Sequence, residues 1–171
     1  MDNILKEFKS NLEKKLELNL SHGKIFKGKF NLTDTNQVHM GEFLKEIKNA
    51  YGVKNKNEIK GIYKIYIKRP NEDNELFYIG ISKSSVYDRL KRHYKKYNKS
   101  EIEGSPKRYT FFRQLHDDNN EVTIEIIRIE GKEKLNYLFL IEELLTLIEE
   151  PKYILDINNE VKVNSESVQN D

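Results

Sequence analysis

Apolar residues recur every three or four positions along several stretches of the chain, which is the spacing of amphipathic helices. This spacing predicts helices at 3–20, 39–52, 84–97 and 132–150. Ser105-Pro106 is a start signal for a further helix over 107–116, and Gly52 and Pro151 end two of the others. Four runs rich in β-branched and aromatic residues predict strands instead, at 24–32, 61–68, 76–82 and 122–130.

The order of these elements predicts the fold. From residue 61 onward it is strand, strand, helix, helix, strand, helix, so the hairpin and the later strand can form a small antiparallel sheet covered by helices. We therefore expect an α+β protein whose main domain, residues 59–160, contains a three-stranded antiparallel sheet. Residues 1–58 are interpreted as a short N-terminal extension with a helix and a strand, and residues 161–171 as a flexible polar tail.

Composition narrows the class of protein. The chain has 171 residues, enough for one domain with a moderate core, and 37% are hydrophobic against 34% charged. It contains no cysteine, which excludes disulfides and thiolate metal sites and is typical of a cytoplasmic protein. No apolar run approaches the roughly 20 residues of a membrane span, so we expect no membrane partner.

The net charge of +2 hides a strong asymmetry along the chain. Residues 61–116 contain 13 Lys and Arg against 6 Asp and Glu, whereas residues 117–171 contain 5 against 14. A basic middle segment in a nearly neutral chain is typical of a local polyanion-binding surface. Solvated helix faces of uneven charge give the same counts, so charge alone leaves both interpretations open.

Two triplets stand on the two arms of the predicted hairpin, GIY at 61–63 and YIG at 78–80. Each alone is ordinary strand sequence, because Tyr and Ile are strand formers. In this order on adjacent strands, and followed by an arginine, a histidine and a glutamate at the expected intervals, they resemble the GIY-YIG nuclease family over residues 61 to about 159. The resemblance implies the small GIY-YIG fold and an endonuclease that hydrolyses DNA phosphodiester bonds.

Three residues after the hairpin match the family in type and spacing. Arg89 lies nine residues after the YIG triplet, and His93 follows four residues later on the same helix face. The family's catalytic glutamate lies a little over two turns before a proline, and Glu142 is nine residues before Pro151. Helical periodicity alone leaves Glu142 and Glu149 as candidates, because both flank the apolar stripe of the last helix. The proline spacing selects Glu142, with Glu149 as the alternative.

Phosphodiester hydrolysis explains why these residue types are needed. Glu142 is the expected ligand of Mg²⁺ or Mn²⁺, ions that bind oxygen atoms, and Arg89 offers a charged fork for phosphate oxygens. The resemblance implies that Tyr63 acts as, or beside, the general base, and His93 is the partner that accepts or relays its proton. Tyr78 is expected to orient water or phosphate.

Contacts with nucleic acid are expected around the same residues. Gly80 is expected to let the phosphate backbone approach closely, and Ser82 to donate a hydrogen bond to it. The basic segment 83–113 interleaves tyrosines with six candidate phosphate-binding residues, namely Lys91, Arg92, Lys95, Lys96, Lys107 and Arg108. The asparagine that the family often has just past the proline is not matched at Ile154, so Asn158 and Asn159 are the candidates for that role.

A compact catalytic domain with a short N-terminal addition resembles the type II restriction enzymes of this family. We therefore expect cleavage of double-stranded DNA by a homodimer, with residues 1–52 as the candidate contact between chains. Two alternatives stay open: a non-catalytic nucleic-acid-binding module, and a repair or phage-defence nuclease on the same scaffold. The joint presence of all five candidate catalytic residues favours an enzyme over a binding module.

Overall fold

The computed structural model describes residues 25–30, 37–96 and 120–153, together with six helical positions between residues 3 and 14. Its strands are β1 (Ile25–Phe30), β2 (Gly61–Lys68), β3 (Glu75–Ser82) and β4 (Glu121–Arg128). Its longer described helices are α1 (Gln37–Tyr51), α2 (Val86–Lys96), α3 (Lys132–Asn136) and α4 (Leu138–Glu149). A single 3₁₀ turn at Lys56–Glu58 precedes β2 within these ranges. The protein is thus α+β, as its sequence predicts.

The four described strands form one sheet in the order β1-β4-β2-β3, with every neighbouring pair antiparallel. The predicted sheet of a hairpin and a later strand is confirmed, since β2 pairs with both β3 and β4. The strand predicted in the N-terminal extension pairs with the outer side of β4 and makes the sheet four-stranded. β3 is therefore the strand at the other edge.

Side-chain alternation along β2 divides the protein into two layers. Tyr63 and Ile65 belong to a core cluster on the side covered by α1 and α2, to which Leu90 of α2 contributes. Ile62 lies on the opposite side and packs in a second cluster with Leu145 of α4. Neighbouring residues of one strand thus face different environments, which becomes important for the site.

Helix α1 joins the same core as the hairpin. Its residues Phe43, Ile47 and Tyr51 recur every four positions and are all buried in the α1/α2 cluster. The Tyr51 hydroxyl donates to the Ile126 carbonyl in β4 at 2.6 Å, which ties the end of α1 to the sheet. Gly52 has a φ of 63°, the left-handed conformation that commonly ends a helix, so this predicted helix end is confirmed.

The long helix predicted at 132–150 is wrong in one respect, because the structure divides it into α3 and α4. The Tyr137 N–H donates to the Lys134 carbonyl at 3.1 Å, an i→i−3 bond that ends α3. Helix α4 begins one residue later with Leu138 fully buried against the sheet. The expected stop at Pro151 is confirmed, since α4 ends at Glu149.

The helix predicted at 107–116 and the tail 161–171 lie outside the described residues. In the part of the chain that the structure describes, none of the helices is long and apolar enough to cross a membrane.

Candidate active site

A buried hydrogen bond lies at the centre of the candidate site. The Tyr63 hydroxyl and His93 Nε2 are 2.6 Å apart, and both side chains are almost fully shielded from solvent. Burial raises the pKa of Tyr63 well above its ordinary value; Tyr78 and Glu142 raise it further, and Arg89 opposes them. Tyr63 is therefore a neutral phenol in the free protein.

The turn from β3 into α2 sets the position of His93 and Arg89. The Ser82 Oγ accepts a hydrogen bond from the Ser85 N–H at 2.9 Å, and the Ser85 Oγ accepts one from the Asp88 N–H at 3.2 Å. Side-chain oxygens of this kind satisfy the free N–H groups at a helix start. Ser82 is buried and fixes the first turn of α2, a local role that its assignment as a nucleic-acid contact did not include.

Arg89 lies close enough to Tyr63 for its positive charge to lower the pKa of that phenol. In the histidine tautomer whose Nε2 carries the lone pair, the Tyr63 hydroxyl donates to His93. Among the described residues, Arg89 Nε is a buried nitrogen without a hydrogen-bond partner, and an unmet donor of this kind costs about 1–3 kcal/mol.

Gly80 is needed because Tyr63 occupies the space where a side chain would lie. A Cβ at Gly80 would stand 2.5 Å from Tyr63 Cζ, 2.7 Å from Tyr78 Cε1, and would collide with the Tyr63 hydroxyl. Tyr63 and Gly80 are direct partners in the β2–β3 register, so the glycine of YIG makes room for the tyrosine of GIY. The packing of Tyr63 therefore explains why position 80 is a glycine, whereas the sequence alone suggests the approach of a phosphate backbone instead.

Two further tyrosines line the same side of the sheet. The ring of Tyr78 packs edge-on against His93 at a centroid distance of 4.9 Å and against Tyr153 at 5.4 Å. Burial raises the pKa of Tyr78, and Glu142 adds to the shift while Arg89 opposes it. Tyr153, two residues after Pro151, was not among the predicted site residues. The sequence signal that could have found it is an aromatic residue two positions beyond the proline that follows α4.

Glu142 approaches this group from α4, on the other layer of the protein. Its carboxyl group lies near the Ile81 N–H in β3, which lowers the pKa of Glu142. Because β3 is the edge strand, a side chain from the α4 layer lies there at the rim of the sheet, within electrostatic reach of Arg89. Burial raises the pKa of Glu142 above its ordinary value; Arg89 and the Ile81 N–H lower it, and Glu143 raises it.

The donor set at Glu142 fits a hard divalent cation held by few protein ligands. Within the described ranges, no group of three or more His, Asp and Glu residues could hold a metal ion. Mg²⁺ is commonly bound through one or two carboxylates, with water and phosphate oxygens completing its shell. The half-exposed Glu142 carboxylate, which lies near the Ile81 N–H, matches that arrangement.

Glu149, the alternative candidate, is committed elsewhere. Both of its carboxylate oxygens accept from Lys64 Nζ, at 2.7 and 2.8 Å. Lys64 is buried in β2, its register partner in β4 is the buried Glu125, and Tyr66 lies close to both glutamates. Lys64 was also missed by sequence reasoning, although a lysine inside the apolar strand IYKIYI is a signal that a carboxylate partner exists.

The structure assembles some of the predicted site residues and leaves others undescribed. Tyr63, Tyr78, Arg89, His93 and Glu142 converge on one end of β2 and β3. Lys91 and Arg92 are exposed on α2, and Lys95 and Lys96 lie in its last turn. Three further candidates and one alternative lie outside the described residues, namely Lys107, Arg108, Asn158 and Asn159.

Comparison with known proteins finds no matching family model, no matching curated protein and no matching solved structure.

Proposed function

We propose that the protein is a divalent-metal-dependent DNA endonuclease of the GIY-YIG family. The observation that carries the proposal is the meeting, at one rim of the sheet, of a tyrosine–histidine hydrogen bond, a guanidinium with an unmet donor, and a half-exposed carboxylate. These are the groups that phosphodiester hydrolysis requires: a route for the proton of water, a positive charge for phosphate, and an oxygen ligand for a cation.

The proton route follows from the pKa of Tyr63. Because burial holds its pKa well above the ordinary value, a free phenolate is too costly to serve as a standing base. Tyr63 instead takes a proton from the attacking water while its own hydroxyl proton passes to His93 Nε2, 2.6 Å away. The tyrosine is neutral before and after the transfer, and His93 carries the proton. The water oxygen forms the new bond to phosphorus as the bond to the leaving sugar oxygen breaks.

Arg89 and Glu142 act on the phosphate. The guanidinium is permanently charged and only partly buried, so it offers phosphate oxygens a positive charge at the rim of the sheet. Glu142 would hold Mg²⁺ or Mn²⁺, which supplies charge neutralisation at the phosphate and the leaving oxygen. Tyr78, packed between His93 and Tyr153, keeps the imidazole in its orientation.

Double-stranded DNA is the proposed substrate, and site-specific cleavage of the type II restriction kind is the proposed activity. Exposed Lys91 and Arg92 lie on the helix that carries Arg89, so phosphates on either side of the scissile bond have cationic partners. One site per chain cuts one strand, so a double-strand break requires two chains.

The experiment is digestion of supercoiled plasmid with Mg²⁺ or Mn²⁺ and purified protein. We expect discrete linear fragments from the wild type and a loss on the order of 10²–10³ in rate for Arg89→Ala. Arg92→Ala, an exposed arginine of the same helix, is the matched control and should lower affinity more than rate. A smear of fragments would indicate a nonspecific nuclease instead of a site-specific one. DNA binding without any cleavage would indicate a binding module instead of an enzyme.

A further inference from the structure

Helix α4 is apolar on two sides, and only one side packs against the sheet. Leu138, Leu145 and Ile148 are buried toward β2 and β3. The opposite side exposes large apolar side chains, with exposed fractions of 62% for Tyr137, 62% for Phe139, 55% for Leu140 and 65% for Leu147. A helix that is hydrophobic around its whole circumference is normally covered on every side.

The exposed side has the spacing of a helix-packing seam. Tyr137 just before α4, Leu140, the partly buried Leu144 and Leu147 follow one another at intervals of three, four and three residues. This is the a/d spacing by which one helix packs along another. The seam thus fits a second amphipathic helix lying along α4.

Charge restricts the partner. Helix α4 contains Glu142, Glu143 and Glu149 and neither lysine nor arginine. Glu143 lies in the middle of the exposed side, between Phe139 and Leu147 on the helical wheel. Two copies of α4 packed through this side about a two-fold axis would bring two Glu143 carboxylates together, which is unfavourable. A helix with a basic flank is favoured instead.

The N-terminal segment of the same chain has the required pattern. Six positions between residues 3 and 14 are helical and exposed, and at 100° per residue they fall within about 120° of arc. In the helix that the sequence predicts at 3–20, Leu5, Phe8, Leu12 and Leu16 recur on the opposite face. Residues 3–16 contain four lysines and two glutamates, a net +2, whereas the exposed side of α4 carries the acidic Glu143. The two helices are complementary in apolar spacing and in charge.

Residues 17–24, which connect the N-terminal helix to β1, are long enough to let that helix reach α4. Strand β1 starts at Ile25, opposite Ile127, and Ile127 packs in the cluster that Leu138 and Leu145 of α4 complete. Residues 17–24 can span up to roughly 26 Å when extended. Helix α4 has 12 residues and is therefore only about 18 Å long.

We propose that residues 3–16 dock as a helix on the exposed side of α4 in the same chain, with Leu5, Phe8 and Leu12 against Leu140, Leu144 and Leu147. The docked helix covers the outer face of the helix that carries Glu142 and sets its lysines beside Glu143.

The chain has no cysteine, so introduced cysteine pairs report this contact without background. Four variants pair Leu5→Cys or Leu12→Cys with Leu140→Cys or Leu147→Cys, and are oxidised in the full-length protein. We expect at least one pair to form an intramolecular disulfide, seen as a faster monomer band on a non-reducing gel, with a yield independent of protein concentration. Both α4 positions are mostly exposed, so the fold should tolerate the changes.

Ser10 lies on the exposed arc of the N-terminal helix, so Ser10→Cys with Leu140→Cys is the matched control and should react several-fold less. Disulfide-linked dimers whose yield rises with protein concentration would assign the surface to a second copy and overturn the proposal. Yields no higher than the Ser10 control in all four variants would also overturn it, since they would show that the N-terminal helix does not lie on α4.

Discussion

Two polar clusters lie back to back across β2, and adjacent residues of that strand supply them. On the α2 side, Tyr63 bonds to His93 beside Arg89. On the α4 side, Lys64 bonds to both carboxylate oxygens of Glu149. Both clusters are largely buried, yet they differ in completeness. The Lys64 ammonium and the Glu149 carboxylate satisfy each other, whereas Arg89 keeps an unmet buried donor.

We interpret the complete pair as one that stabilises the fold and the incomplete cluster as the candidate ligand site. A buried charge whose partner is in place is already neutralised and gains little from binding a substrate. Removing one partner lowers the free energy of unfolding, because the other charge is then buried alone. A buried donor left unmet raises the free energy of the folded protein until an acceptor arrives. Variants that disturb one cluster at a time distinguish the two, because stability should respond in one case and activity in the other.

The largest effect is expected from Glu142→Gln. The change keeps size and hydrogen-bonding capacity and removes the charge that would hold the cation, so cleavage should fall by at least about 10³ while DNA affinity stays equal or rises. Glu143→Gln, its exposed neighbour, is the control and should cleave normally. Plasmid digestion at several Mg²⁺ concentrations checks both, and normal cleavage by Glu142→Gln would remove this residue from the site.

The same variant tests the pKa of Glu142 through stability. A raised carboxyl pKa means that ionisation costs folding free energy, so this residue's contribution is fully present below its unfolded pKa and lost as pH rises through the folded one. At pH 7, Glu142→Gln should therefore unfold at an equal or higher denaturant concentration than wild type, and the gap should close below about pH 4.

Glu149→Gln should affect stability more than chemistry. It leaves Lys64 buried without its charged partner, at a cost of about 3 kcal/mol in the free energy of unfolding. The double variant Lys64→Met/Glu149→Leu should recover most of this loss, because both charges are removed together. Urea unfolding measures the effect, and turnover per folded molecule should change less than tenfold. If folded Glu149→Gln were inactive while Glu142→Gln cut DNA, Glu149 would be the metal ligand instead.

Gly80→Ala tests how tightly the Tyr63–His93 pair is held. The added methyl group collides with the Tyr63 hydroxyl and must displace it, which should cost on the order of 1–3 kcal/mol in stability and about 10² in rate. Gly41→Ala in α1 meets no atom within 4 Å and should stabilise the protein by about 0.5–1 kcal/mol. If the two variants behaved alike in thermal unfolding and cleavage assays, Gly80 would not be needed to leave space for Tyr63.

The smallest effect concerns the surface of α2. Replacing exposed Lys91 and Arg92 together by alanine should weaken DNA binding modestly and reduce the slope of log K against log salt by about 2. The matched double variant Lys45→Ala/Lys54→Ala changes two exposed lysines elsewhere and should leave the slope unchanged. A slope altered equally by both pairs would mean that α2 has no special part in DNA binding.

The strands and helices around the hairpin could be predicted from local pattern alone. Runs of β-branched and aromatic residues identified β2 and β3, helical spacing identified α1, α2 and most of α4, and Gly52 and Pro151 marked ends that the structure confirms. Spacing also placed Arg89 and His93 on one face, and the structure brings His93 to Tyr63. Pattern failed at Tyr137, because a single i→i−3 bond leaves the apolar periodicity unchanged while ending a helix.

Only the tertiary structure shows that Glu149, and not Glu142, is paired with a lysine. Glu142 and Glu149 flank the same stripe seven residues apart, so helical periodicity treats them alike. The sheet beneath α4 distinguishes them: Glu149 lies over Lys64 of β2, whereas Glu142 lies at the edge strand, where it meets a backbone N–H and the field of Arg89.

The sequence by itself determined the elements, their faces and the residue types of the site, because helix and strand periodicities and turn residues act over a few positions of chain. The tertiary structure alone decided that β1 completes the sheet, that Gly80 makes room for Tyr63, that Tyr153 closes the group, and that Lys64 takes Glu149. Each of these depends on contacts between residues distant in sequence, where burial and register fix the partner.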